Sequence, residues 1–326
     1  MRSTALLAFV TAALVLPARP DVTPAAHALN PERLQVRRAM ETHGSSCLAI
    51  AIGPSGAWVA SGDLEGKIFL SNPNSGRRLA TLEAHQGGVA SLAISPDGRW
   101  LASGGRDRTV GLWDLKSMQR VRSLDGFAVT HLPVRFTPDG KRLIYRAGTS
   151  LIGDWDLAAG RSVGEFVGHP RDILCFAFHP ARRLMASTDN GGNVKVWDLD
   201  SRALVKDLRH GTLTTCVSFS PDGDWLATSD WDGTMRVWDA RDLAREPRMM
   251  ADSKVRLNWL AFSPDRRYVV TGDEAGMLRV YRLPQLTLVR EIQASASPIE
   301  QIEFSRTGAA MVVARQDGTV TVWRTR

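Results

Sequence analysis

Histidines, aspartates and cysteines are the residues here whose types could do chemistry. Of the seven histidines, His43, His85, His169 and His210 recur at intervals of about 42 residues. Imidazoles at such regular places could bind a metal, but each falls in a different repeat of the chain, so they cannot converge on one ion at bonds of about 2.0 Å. His131 and His179 stand outside the series, and neither has a second ligand three or four residues on. The sequence has no HExxH, CxxC or EF-hand pattern, no GxSxG elbow, no P-loop and no dinucleotide fingerprint. Asp189-Asn190 and the run Asp230 to Asp232 offer paired carboxylates for acid and base work. Their better reading is as turns, where Asp and Asn are favoured by tolerance of the left-handed region and by local capping. Cys47, Cys175 and Cys216 make an odd count, so no disulfide framework is implied. Cys175 and Cys216 occupy one register position in neighbouring repeats, expected too far apart to bridge, and all three are expected reduced.

What positions these residues is a repeat. Trp113, Trp155, Trp197, Trp238, Tyr281 and Trp323 are spaced by 42, 42, 41, 43 and 42 residues, and Ser71 lies 42 before Trp113. A second series keeps the same register: GPSG at 53, SPDG at 95, TPDG at 137, HPAR at 179, SPDG at 220, SPDR at 263 and SRTG at 305. Within one unit VASLAIS, RWLASGG, TVGLWDL and QRVRSL read as four short strands separated by turn residues. One such sheet cannot bury both its faces. Seven sheets packed around an axis can, and the period fits the 40 to 45 residues expected of a propeller blade. The expected fold is all-β, a single seven-bladed β-propeller of four-stranded blades over residues 29–326. The chain ends three residues after Trp323, so the outer strand of the last blade must come from elsewhere. VRRAMETH at 36–43 aligns with RLATLEAH at 78–85, so a strand at about 36–41 is expected to close the ring.

The dipeptides Trp113-Asp114, Trp155-Asp156, Trp197-Asp198 and Trp238-Asp239, with Gly168-His169, carry a resemblance to the WD40-repeat family over residues 36–326. That resemblance implies a structural hub of Trp, Ser or Thr, His and Asp in each blade. By register the hub is His85, Ser103, Asp107 and Trp113 in blade two, and His210, Thr228, Asp232 and Trp238 in blade five. Blade four has His169, Ser187 and Trp197 with Gly191 at the Asp position, and blade one has His43 and Ser61 with Glu65 and Ser71. Blades three, six and seven have Phe127, Ser253 and Ser295 in place of the histidine. The resemblance also puts the residue before the hub Asp on the top face, a frequent partner surface. There Trp231 is off the tryptophan pattern, as is Trp259 on the blade-six inner strand. Trp231, Arg106, Arg171, Asp172 and Arg256 together form the expected partner-binding patch.

Lys and Arg outnumber Asp and Glu 41 to 34, with arginine supplying 35 of the cations, and the pI is about 9.8. The basic residues are spread without a run of five, so nucleic-acid binding is not expected. At the N-terminus Arg2, the apolar stretch Ala5 to Leu16 and the small-residue site Ala26-His27-Ala28 have the layout of a cleavable signal over residues 1–28. Twelve residues fall short of the roughly 20 that span a bilayer. A secreted or periplasmic location follows, with an uncleaved membrane anchor or a cytoplasmic chain as alternatives. The function expected is a non-catalytic, cofactor-free, monomeric scaffold that binds protein partners. The competing reading is an exported propeller enzyme, a hydrolase, lyase or quinoprotein-like catalyst, which would need convergent, aperiodic His, Asp or Glu residues at the channel mouth, whereas small and apolar residues are expected on most inner strands.

Overall fold

The computed structural model describes residues 27–125, 133–251 and 253–325; most of the expected signal segment, together with Phe127 and His131, lies outside them. The described residues form seven antiparallel sheets of four strands each, joined to a short 3-10 turn at Pro31–Arg33. The innermost strands are Cys47–Ile52, Val89–Ile94, Val134–Phe136, Ile173–Phe178, Thr214–Phe219, Leu257–Phe262 and Ile299–Phe304. None of the described helices is long and apolar enough to cross a membrane.

The register is the same in every blade. On the second and third strands Leu101 faces Trp113, Leu143 faces Trp155, Met185 faces Trp197, Leu226 faces Trp238, Val269 faces Tyr281 and Met311 faces Trp323. These apolar pairs point into the spaces between blades. Ala60, Leu70, Leu92, Leu101 and Trp113 share one cluster between blades one and two, and Ile50, Val59, Val312 and Val322 share another between blades one and seven. Burial at about 25 cal/mol per Å² of apolar surface makes these interfaces the main stabilising term. Each SPDG turn is fixed by its own side chains. In blade two Ser95 Oγ donates to Asp97 Oδ1 at 2.5 Å, accepts from Trp100 N at 2.9 Å, and Gly98 takes φ +74°.

The ring closes through Gln35–Ala39, which pairs antiparallel with Val320–Arg324, Val36 facing Trp323 and Ala39 facing Thr321. This strand starts and ends slightly before the expected 36–41. A bulge at Arg37 shifts the register, and Glu41 N turns away to bond Gly76 O of blade one at 3.3 Å. The tether extends further upstream, where Asn30 N bonds Thr325 O at 2.8 Å and Leu29 N bonds Asp265 Oδ2 at 2.8 Å.

The innermost strand of each blade has a free edge toward the channel, and its backbone groups need partners. Side chains of the neighbouring blade supply several of them. Gln301 Oε1 accepts from Ile50 N at 2.8 Å and Gln301 Nε2 donates to Ile50 O at 3.0 Å, across the closing seam. Asn258 Nδ2 donates to Ile299 O at 2.9 Å, Thr215 Oγ1 to Leu257 O at 2.5 Å, and Arg135 Nη1 to Leu92 O at 3.1 Å.

Candidate site at the channel mouth

The blade hubs set the frame on which the top-face loops stand. In blade two His85 Nδ1 lies 3.0 Å from Asp107 Oδ1, His85 Nε2 lies 2.8 Å from Ser103 Oγ, and Trp113 Nε1 donates to Ser103 Oγ at 3.0 Å. In blade five the acid at the histidine is Asp230, not the expected Asp232. His210 Nε2 sits 2.9 Å from Asp230 Oδ2 and Nδ1 sits 2.5 Å from Thr228 Oγ1, while Asp232 only donates its backbone N–H to Asp230 Oδ1 at 3.0 Å. Trp238 packs edge-on to His210 at 6.4 Å between centroids.

The cause is the residue at the end of the second strand. In blade two that residue is Gly105, where an added Cβ would meet His85 Nδ1 at 2.2 Å and Asp107 Oδ1 at 2.4 Å. The glycine leaves room for an acid two residues on to reach back. Where the strand ends in Asp, that side chain takes the place itself, so Gly191 and Glu65 are no loss. Asp63 lies 2.9 Å from His43 in blade one and Asp189 lies 3.0 Å from His169 in blade four. The carboxyls of Asp107, Asp189 and Asp230 are all held below the usual range, the hydrogen bonds and the histidine outweighing burial.

The blades without histidine refill the space with other chemistry. In blade six Arg279 Nη1 meets Asp273 Oδ2 at 2.5 Å, and Ser253 Oγ reaches the same oxygen at 3.5 Å. In blade seven Arg315 Nη2 donates to Thr321 Oγ1 at 3.1 Å, which also accepts from Trp323 Nε1 at 2.9 Å. In blade three the Tyr145 ring lies over Gly153, where a Cβ would meet Cζ at 2.4 Å. In blade one Phe69 stacks on His43 at 3.9 Å, in the region that the Trp113 indole covers above Gly111 in blade two.

These hubs hold a ring of turn residues against the neighbouring loop by one repeated backbone bond. Leu64 N bonds Ser46 O at 3.0 Å, Arg106 N bonds Gly88 O at 2.8 Å, Asn190 N bonds Asp172 O at 2.9 Å, and Trp231 N bonds Leu213 O at 2.9 Å. Glu274 N and Gln316 N bond Arg256 O and Pro298 O in the same way, each at 3.0 Å. Their side chains are thus presented from a fixed backbone, and those of Arg106, Asn190 and Trp231 line a cavity of about 430 Å³ at the channel mouth.

Trp231, Arg106 and Arg256 all line that cavity. Arg256 Cζ lies 4.4 Å above the Trp231 ring, and Trp231 remains 49% exposed, so an aromatic surface is held ready by a cation rather than buried. Arg171 and Asp172 are not brought to the cavity: Asp172 pairs with Arg146 Nη2 at 3.1 Å and Arg171 lies against Gly191. Trp259, Asn258, Asn190, Glu300 and Arg135 complete the mouth. The expectation of small and apolar residues on most inner strands holds at positions such as Ala51, Ala93, Ala177 and Ala261 but missed Arg135 and Glu303 on the same register. Burial raises the carboxyl of Glu300, against the pull of Arg256 and Arg106.

Glu303 lies lower, in a second cavity of about 390 Å³ that shares Arg135, Phe176 and Trp259 with the mouth. Burial pushes its carboxyl up to about 7, although Arg135 and the N–H of Ile52, 3.0 Å from Oε2, pull it down. A folded value above the ordinary 4.5 means that ionisation opposes folding, so this group removes stability as pH rises from about 4.5 to 7. Glu303→Gln is therefore expected to be more stable than wild type at pH 8 by on the order of 1–2 kcal/mol, with the gap closing at pH 4 in urea unfolding. An equal gap at both pH values would contradict this. Among the described residues no three His, Cys, Asp or Glu side chains group closely enough to hold a metal ion.

The family model for the IFT122 first beta-propeller matches residues 46–324, which takes in all seven inner strands. The chain belongs to that family. A search of curated proteins returned no match to it. For an IFT122-type propeller the repeated hubs, the even register and the closing N-terminal strand are those of a WD40-repeat ring. In this ring Arg135, Glu300, Gln301 and Glu303 furnish the channel with polar groups.

Proposed function

We propose that the chain is a non-catalytic protein-binding scaffold whose partner docks on the top face, at the Trp231, Arg256 and Arg106 side of the channel mouth. The observation that carries this is the half-exposed Trp231 ring, capped by Arg256 and fixed through its own backbone N–H. Aromatic and arginine side chains on a pre-organised backbone are what binding hot spots are made of, because little freedom remains to be lost on docking. Three arginines, Arg106, Arg135 and Arg256, face one carboxyl, Glu300, in the mouth, which favours an acidic partner segment over a basic one. Arg171 and Asp172 stand beside the patch and would form its rim.

The enzyme reading needs convergent acids. Glu300 and Glu303 are the aperiodic ones, but they open into different cavities, and both oxygens of Glu303 are engaged, by Ile52 N and by Gln301 Nε2 at 3.2 Å. The scaffold acts as a monomer outside the cytoplasm, in the periplasm or secreted, on the strength of the apolar segment Ala5 to Leu16.

Affinity capture from the exported fraction tests the reading. Trp231→Ala is expected to weaken a specific partner by about thirtyfold or more, the 2 kcal/mol of a hot spot, with the melting temperature unchanged. Identical partner sets and affinities for wild type and variant would remove the top-face assignment.

A further inference from the structure

Cys175 and Cys216 lie at the same register of the adjacent inner strands Ile173–Phe178 and Thr214–Phe219, each just after the bulge that opens its strand. All three cysteines are free, as expected, and the Cys175 side chain nonetheless reaches the strand of Cys216. Both sulfurs approach a single carbonyl oxygen, that of Val217, at 3.9 Å from Cys175 Sγ and 3.8 Å from Cys216 Sγ, so the Cys175 side chain reaches across to the strand that carries Cys216. Cys175 lines the upper cavity and Cys216 the lower one, so the pair sits in the channel wall. Their surroundings differ from those of the third thiol. The neighbouring Cys216 thiol lowers that of Cys175 while burial raises that of Cys216, and the Arg135 charge, in the same channel, favours thiolate at both. Cys47 is fully buried in the core between blades one and seven, bonded to Ala49 O, with its thiol pushed well up by burial.

We propose that Cys175 and Cys216 form an oxidisable dithiol, which hydrogen peroxide entering the channel converts to a disulfide that staples blade four to blade five. Cys175 loses its proton and its sulfur attacks one peroxide oxygen. The O–O bond breaks, and the departing hydroxide takes the proton as water, leaving a sulfenic acid. Cys216 then loses its proton and attacks the Cys175 sulfur, the S–O bond breaks, and the hydroxide leaves with that proton as a second water. Two thiols and one peroxide become one disulfide and two waters, the pair giving up two electrons. The product needs the sulfurs at about 2.05 Å, and they start on either side of one carbonyl oxygen, that of Val217.

Native full-length protein is treated with equimolar hydrogen peroxide, quenched, denatured and alkylated, then read by mass spectrometry. The expected result is a fall from three alkylated cysteines to one, Cys47, with a Cys175–Cys216 linked peptide lighter by two hydrogens and restored by dithiothreitol. In Cys216→Ser the sulfenic acid has no partner, so dimedone should label Cys175; in Cys175→Ser dimedone should label nothing. Serine stands at this register in blade two, as Ser91, so both variants are expected to melt as wild type does, and the wild-type peptide map decides the matter if one does not. Three alkylated cysteines after peroxide, over-oxidation of Cys175 with Cys216 still free, or labelling of Cys216 in Cys175→Ser would overturn the proposal.

Discussion

Removing residues 29–41 is expected to lower the melting temperature by about 10 °C or more, the largest of the stability effects foreseen for this ring. Deletion strips the outer strand from Val320–Arg324 and with it the bonds from Asn30 N to Thr325 O and from Met40 N to Val320 O. It also removes Leu29, Leu34 and Met40, which are 3%, 1% and 4% exposed and at about 2 kcal/mol each are worth several kcal/mol of apolar burial. Trp323, 2% exposed beneath this strand, would be opened to water. Calorimetry of the full chain and the deletion decides the point, and an unchanged melt would mean that the seam between blades seven and one holds without its outer strand.

Asp230→Ala should destabilise by about 3 kcal/mol or more, whereas Asp232→Ala should stay within about 0.5 kcal/mol. Asp230 accepts from Asp232 N at 3.0 Å, Thr234 N at 2.7 Å and Thr212 Oγ1 at 2.8 Å besides its contact with His210. Its loss would leave several buried donors without an acceptor. Its folded pKa is depressed, so its contribution is present above the ordinary carboxylate value near 3.8 and is lost as pH falls below it. Urea unfolding at pH 7 separates the two variants, and equal losses would return the hub role to Asp232.

The blade count and register were legible because they rest on repetition. Trp113 through Trp323 and the SPDG turns mark the same two places in each unit, so one misread residue changes nothing. The hub acid was misplaced by two residues for a local reason. Whether the acid comes from the strand end or from the turn depends on whether that end is Gly105 or an aspartate, a steric choice that alignment to blade two alone hides. Trp231 stands out in the sequence because it breaks the tryptophan pattern, and Arg106 and Arg256 share its cavity, but Arg171 and Asp172 were grouped with it from loop position, which cannot show that Arg146 claims Asp172. The channel acids went unread although the signal was present: IEQIEF, at 299–304, places three polar residues on an inner strand where CLAIAI and VASLAI have small or apolar ones. The reach of Cys175 to the strand of Cys216 depends on how closely neighbouring inner strands approach, a distance that no residue pattern states.

The closing seam also fixes the order in which the molecule can be completed. Gln35–Ala39 is made before any other strand of the ring, yet its partner, Val320–Arg324, is the last of the ring's strands to be made. During vectorial emergence the early blades can each pair their own four strands locally, while the first strand waits for nearly the whole chain to follow. Contacts of such long sequence separation form late and slowly. Closure therefore acts as a check on the ring: a product cut short before the last blade, however many blades it has built, is left with two unsatisfied edges and the exposed strand that chaperones and proteases recognise.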